Sequence, residues 1–167
     1  MLYRLKVKTD NLTAIHNNYN YYNIYNQFNP NRYLSPLINM KRKILVTAGI
    51  FGALAVITGA FGVHGLSSKL TPQDMQVWNT AVQYQFYHVF ALIGLSTLSR
   101  YQTRLINDCY YLFSAGIIFF SGSLYLLAIR GFMEWSWVET IGPVTPLGGV
   151  LFIGGWITMA VAATKNK

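Results

Sequence analysis

His64 and His88 are the side chains of this chain best suited to metal or proton chemistry, and both stand in or beside long apolar runs. Near the second of them Asn79, Gln83, Tyr84, Gln85 and Tyr87 add carboxamides and phenols. An imidazole titrates near neutrality, and hydroxyls and amides beside it can relay its proton or simply hold the ring. Zinc asks for more, three or four nitrogen, sulfur or carboxylate ligands. The apolar runs contain no acid, and Cys109, the single cysteine, has no second thiol for a disulfide or a CxxC site. It reads as a bystander thiol. Paired carboxylates, a hydrolase triad, a phosphate-cradling loop and a haem-type histidine pair are all missing from the sequence. The residues therefore predict no metal, no cofactor and no enzyme. His88 reads as a hydrogen-bonded core residue that sets helix register, with a proton relay as the alternative.

The elements that must position these groups are apolar helices. Hydrophobic residues make up 53% of the chain and charged ones 11%, and the apolar residues gather into runs at about 44–63, 78–98, 110–129 and 147–163. A run of ~20 residues at ~1.5 Å each matches the ~30 Å hydrocarbon core of a bilayer. The fold expected is an all-α integral membrane protein, four transmembrane helices in an antiparallel bundle. On the first span Ala48, Gly52, Ala55, Gly59 and Gly62 share a stripe at about 100° per residue, a groove for a neighbouring helix. Gly148, Gly155 and Ala162 recur on the fourth in the same role.

The second span is the odd one. Thr71-Pro72-Gln73-Asp74 is a helix start, with Thr71 as N-cap and Pro72 in the first helical position, and predicts a helix from Pro72 to Leu98. Asn79, Gln83 and Tyr87 fall on one face of it, Tyr84 and His88 on the opposite side, Gln85 further round. Polar groups on two sides of an apolar helix call for partners on two sides, which puts this helix inside the bundle or at an oligomer seam. Ser114, Ser121 and Tyr125, with Ile118, share a face of the third span and are expected to supply hydrogen bonds to the second. Thr145-Pro146 repeats the cap-and-proline start for the fourth.

The formal charge is +8, but the cations flank the apolar runs and form no basic stripe on a solvated helix, which argues against nucleic acid and for the bilayer as the partner. Lys41, Arg42, Lys43, Arg100, Arg104, Lys165 and Lys167 lie on one side of the expected bundle, Lys69 and Arg130 on the other. Both termini are accordingly expected to be cytoplasmic. Trp135 and Trp137, with Glu134 and Glu139, suit a loop in the headgroup zone. Residues 1–39, rich in asparagine and tyrosine, read as a disordered leader, with residues 40–167 as the membrane domain. Met40 followed by Lys41-Arg42-Lys43 reads as the functional start, the leader being dispensable; the alternative is a mitochondrial presequence.

Three motifs carry a resemblance. Gly59-Ala60-Phe61-Gly62-Val63-His64-Gly65-Leu66, Thr80-Ala81-Val82-Gln83-Tyr84-Gln85-Phe86-Tyr87-His88, and Gly142-Pro143-Val144-Thr145-Pro146-Leu147-Gly148-Gly149 with Gly155-Trp156 succeed one another along the chain. In this order they resemble the domain of unknown function 423 family of small bacterial inner-membrane proteins, related to the eukaryotic transmembrane protein 256. The resemblance runs from about Met40 to Ala163. Alanine is usual where Val63 stands. It implies a four-span protein of the bacterial cell inner membrane and supplies no activity or catalytic residue; a mitochondrial membrane is the alternative location.

Two functions then compete. The first is a structural or accessory membrane subunit, acting with a membrane-protein partner or as a homo-oligomer. The second is a small channel or transporter with a polar or proton pathway along Asn79, Gln83, Gln85 and His88. An enzyme acting on lipids would have only Glu134, Trp135 and Glu139 to work with.

Overall fold

The computed structural model describes residues 30–98, 104–131, 133, 138 and 141–165, with side chains from Ile38 to Thr164. The chain divides into two units, Met1–Ile38 and Asn39–Lys167. All regular structure among the described residues is helical. Helix α1 spans Pro30–Phe61 and runs into a π-helical turn, Gly62–Leu66; α2 spans Pro72–Leu98; α3 spans Arg104–Ile129, with a π-helical turn at Ile117–Ser121; α4 spans Val144–Lys165.

Three stretches, Ile38–Leu66, Arg104–Ile129 and Val144–Thr164, are long and apolar enough to cross a membrane. Helix α2 has the length and fails on composition, because Gln83, Gln85 and His88 interrupt its apolar run. The outer surface is apolar: Val46, Ile50, Val56 and Ile57 on α1, Ile118 and Phe119 on α3, and Val150, Ile153 and Ile157 on α4 are all exposed. Water would penalise such a surface; lipid accepts it.

Pairs of touching residues give the directions. A Cβ added at Gly52 or Gly59 would lie 3.5 Å from Val89 or Val82, and one at Gly62 would lie 2.6 Å from the Trp78 indole nitrogen. Numbers rise on α1 as they fall on α2, so the two helices are antiparallel. On α3 and α4, Gly155 faces Phe113, Gly116 faces Phe152, and Gly148 abuts the backbone of Phe120, again an antiparallel pair. Thr47 with Tyr110 and Thr58 with Tyr125 join α1 to α3 in parallel. The core between them holds Ile44, Leu92, Leu95, Ile106 and Phe113, and a smaller cluster of Leu66, Trp78 and Ala128 is separate from it. Met40 is the first described residue packed against this core.

Several local expectations change. Helix α1, described from Pro30, includes residues 30–39 of the stretch that composition alone marks as a disordered leader. Residues 1–29 lie outside the described residues. Helix α3 is already helical at Arg104, ahead of the expected Tyr110, because Ile106 and Cys109 form an apolar face that docks into the core. Thr145 is not the cap of α4, which begins one residue earlier; its hydroxyl instead meets that of Ser123 at 2.7 Å and ties α4 to α3. The tryptophans and glutamates of residues 134–139 are outside the described residues.

At Thr71 the expectation and the structure coincide. The Asp74 backbone N–H donates to Thr71 Oγ1 at 3.1 Å, and the Thr71 hydroxyl donates to Asp74 Oδ2 at 2.7 Å. Such a cap contributes about 1 kcal/mol.

Candidate functional site

Gln85, the middle residue of α2, is the hub of the polar cluster. It is buried at 4% exposure. Its Nε2 donates to the Phe51 carbonyl of α1 at 2.8 Å, and its Oε1 accepts from the Tyr125 hydroxyl of α3 at 2.9 Å. The Tyr125 oxygen in turn lies 2.9 Å from Thr58 Oγ1. Trp78 Nε1 donates to the Thr58 carbonyl at 3.0 Å. Thr58 stands four residues before the π turn, where the backbone ladder changes spacing and leaves carbonyls short of partners. One carboxamide, two hydroxyls and one indole thus join three helices with bonds to groups that would otherwise be stranded in apolar surroundings.

His88 lies one turn further along α2, between aromatic rings. Its ring stacks on Phe152 of α4 at 3.4 Å between centroids, only 7° from parallel, with Phe113 of α3 at 5.7 Å. Nδ1 is 2.8 Å from the Tyr84 carbonyl. A carbonyl can only accept, so the proton is on Nδ1. Nε2 then accepts from Trp156 Nε1–H of α4 at 3.3 Å. Both ring nitrogens are thus hydrogen-bonded within the bundle, one to a backbone carbonyl and one to an indole N–H.

The remaining residues singled out from sequence do not join this hub. The Tyr84 side chain is exposed; its ring lies tilted against Phe120 of α3 at 4.6 Å and stacks beside His88 at 6.2 Å, while its hydroxyl takes no part in the hub. Asn79, Gln83 and Tyr87 are exposed on the opposite face of α2. None of the three makes a hydrogen bond to another described residue. His64 is exposed on the π turn and stands apart from the cluster. The face expected on α3 is split: Tyr125 reaches α2, Ile118 turns outward, and the buried Ser114 and Ser121 oxygens have no partner among the described residues. The π turn at Ile117–Ser121 inserts an extra residue and rotates the rest of the helix, so a face projected at constant pitch comes apart.

Sequence reasoning missed Trp156, Trp78 and Thr58 as partners. Trp156 did carry a signal, since an indole N–H near the middle of a span, far from the headgroups where tryptophan collects, needs an acceptor. Among the described residues no group of three or more His, Cys, Asp or Glu is placed to hold a metal ion. Cys109 is buried, with its thiol 3.7 Å from the Gly155 carbonyl.

Comparison with known proteins supplies the context. A family model described as "Protein of unknown function (DUF423)" matches residues 58–149. A UPF0382 membrane protein of Staphylococcus aureus is 42% identical over 124 residues, covering 74% of this chain and 97% of the relative. Counterparts in Staphylococcus saprophyticus and Bacillus subtilis are each 40% identical, over 74% of this chain and 98% of the relative. No solved structure matches.

Proposed function

The chain belongs to the DUF423 family of membrane proteins, and from that premise we propose that it is a structural or accessory subunit of the bacterial cytoplasmic membrane, without catalytic activity of its own. Helix α2 also crosses the membrane, making four spans, and both termini lie on the cytoplasmic side. The observation that carries the reading is the state of His88: stacked, buried, with both nitrogens bonded inside the bundle. Neither partner, a backbone carbonyl or an indole N–H, takes up or releases a proton near neutrality, so these bonds fix helix register and form no relay.

Crossing by α2 is supported by its 27 residues, about 40 Å, and by the way Gln85 and His88 on its buried face are bonded by α1, α3 and α4. Orientation is supported by the cations. Lys41, Arg42, Lys43, Arg100, Arg104, Lys165 and Lys167 mark one side, against Lys69 and Arg130. The rival reading, a conduit along Asn79, Gln83, Gln85 and His88, is weakened because these residues occupy opposite faces of α2.

Gentle extraction of the protein into lipid nanodiscs tests the proposal. A stoichiometric membrane-protein partner, or a stable assembly of copies, is expected, together with no proton flux in proteoliposomes above that of empty vesicles. Flux that His88→Ala abolishes while the helical content is kept would refute it.

A further inference from the structure

The outward face of α2 is polar where lipid should touch it. Gln76, Asn79, Gln83, Tyr87, Phe90 and Thr97 are all exposed and fall within about 80° of one another around the helix, opposite the buried Ala81, Gln85, His88, Leu92 and Leu95. Gln83 is two residues, about 3 Å, from the helix midpoint at Gln85. If α2 crosses the bilayer, as proposed above, this carboxamide stands near the centre of the hydrocarbon layer. Neither Asn79 nor Gln83 has a hydrogen-bond partner among the described residues, and Gln83 is too short to reach the headgroups from that depth.

We infer that this face is the seam of a homodimer, in which α2 packs against α2 of a second copy and Gln83 bonds its own counterpart. Symmetry selects the occupant. Copies inserted in the same sense are related by a two-fold axis along the membrane normal, so the two α2 helices run parallel and each residue near the axis meets itself. A charged side chain could not tolerate that meeting. A carboxamide is suited to it, because it carries one acceptor and two donor hydrogens and can pair reciprocally with an identical group. Gln76, Gln83, Phe90 and Thr97 recur every seven residues, the spacing that keeps one seam in contact along a left-handed pair. The face carries no Asp, Glu, Lys or Arg, so no partner of opposite charge is called for.

Single cysteines in a Cys109→Ser background, in native membranes, test the seam and its premise separately. Asn79→Cys leaves Gln83 in place; Ile153→Cys on the exposed face of α4 is the control. Under copper-phenanthroline oxidation, Asn79→Cys is expected to give a product of twice the chain mass and Ile153→Cys none. Adding Gln83→Leu to Asn79→Cys should lower that yield about tenfold, the scale of losing an interhelical hydrogen-bonded pair. Cross-linking no better than the Ile153→Cys control, an unchanged yield with Gln83→Leu, or a product of another mass overturns the dimer. Labelling of Gln83→Cys by a water-soluble maleimide reports on the premise: protection is expected, and free labelling would show that α2 does not cross the membrane.

Discussion

The Gln85 carboxamide oxygen and the Tyr125 hydroxyl meet at 2.9 Å, forty residues apart in the chain, and each is also bonded to α1, Gln85 through the Phe51 carbonyl and Tyr125 through Thr58. The pair therefore fixes three helices at once. Gln85→Leu removes two interhelical bonds and leaves Tyr125 with Thr58 alone. At about 0.6–2 kcal/mol per bond in a membrane, the expected loss is roughly 1–4 kcal/mol. Titration with sodium dodecyl sulfate from mild micelles measures it. A double-mutant cycle with Tyr125→Phe should return a coupling of about 0.5 kcal/mol or more; additive losses would mean that the two residues do not support each other.

His88 makes a second, spectroscopic prediction. The carbonyl of Tyr84 demands the proton on Nδ1, and Trp156 needs Nε2 bare. Nitrogen-15 spectra of histidine-labelled protein in bilayers near neutral pH should show the Nδ1–H tautomer for this residue. The Nε2–H form would break the structural account. Because the ring also fills the space beside Phe113 and Phe152, His88→Ala should cost on the order of 2–4 kcal/mol. His88→Phe, which restores the stack and strands the Trp156 N–H, should cost less.

These contacts also mark the limit of what a sequence can be made to say. The start of helix α2 was legible, because Thr71, Pro72 and Asp74 form a local cap whose physics needs no tertiary information. The small-residue stripe of α1 was legible for a similar reason, since a period of 3.6 survives any packing. The partners were not. Trp156 and Thr58 reach the cluster only through the way helices cross, and the π turns at Gly62–Leu66 and Ile117–Ser121 change the pitch without a composition signal. Ile118 shares a projected face with the buried serines and is nonetheless exposed because of one such turn. Thr145 failed as a cap in another way: its hydroxyl had a competing interhelical partner in Ser123, and tertiary context decided.

A chain starting at Met40 should keep the membrane bundle. Met40 is the first described residue packed on the core, and the Staphylococcus aureus relative is matched over 97% of its length by 74% of this chain. Deletion of residues 1–39 is expected to leave the midpoint of sodium dodecyl sulfate unfolding within about 0.5 kcal/mol of the full chain, the range usual for changes away from packed features. Failure of the shortened chain to accumulate in the membrane would assign the leader a part in insertion.

Two glycine substitutions should move stability in opposite directions. At Gly148 a methyl group would meet the backbone nitrogen and Cα of Phe120 on α3, the Cα at 2.7 Å. A backbone cannot rotate aside as a side chain can, so α3 and α4 must separate along their contact, and Gly148→Ala should cost about 1–3 kcal/mol. At Gly49, within α1, nothing lies within 4 Å of the added methyl. There the change only removes glycine's conformational freedom in a helix, so Gly49→Ala should be neutral or stabilising by up to ~1 kcal/mol. The sign of the difference is the test, read as the shift in sodium dodecyl sulfate midpoint for the two variants side by side. Equal effects would mean that the close approach of α4 to α3 at Phe120 does not exist in the membrane.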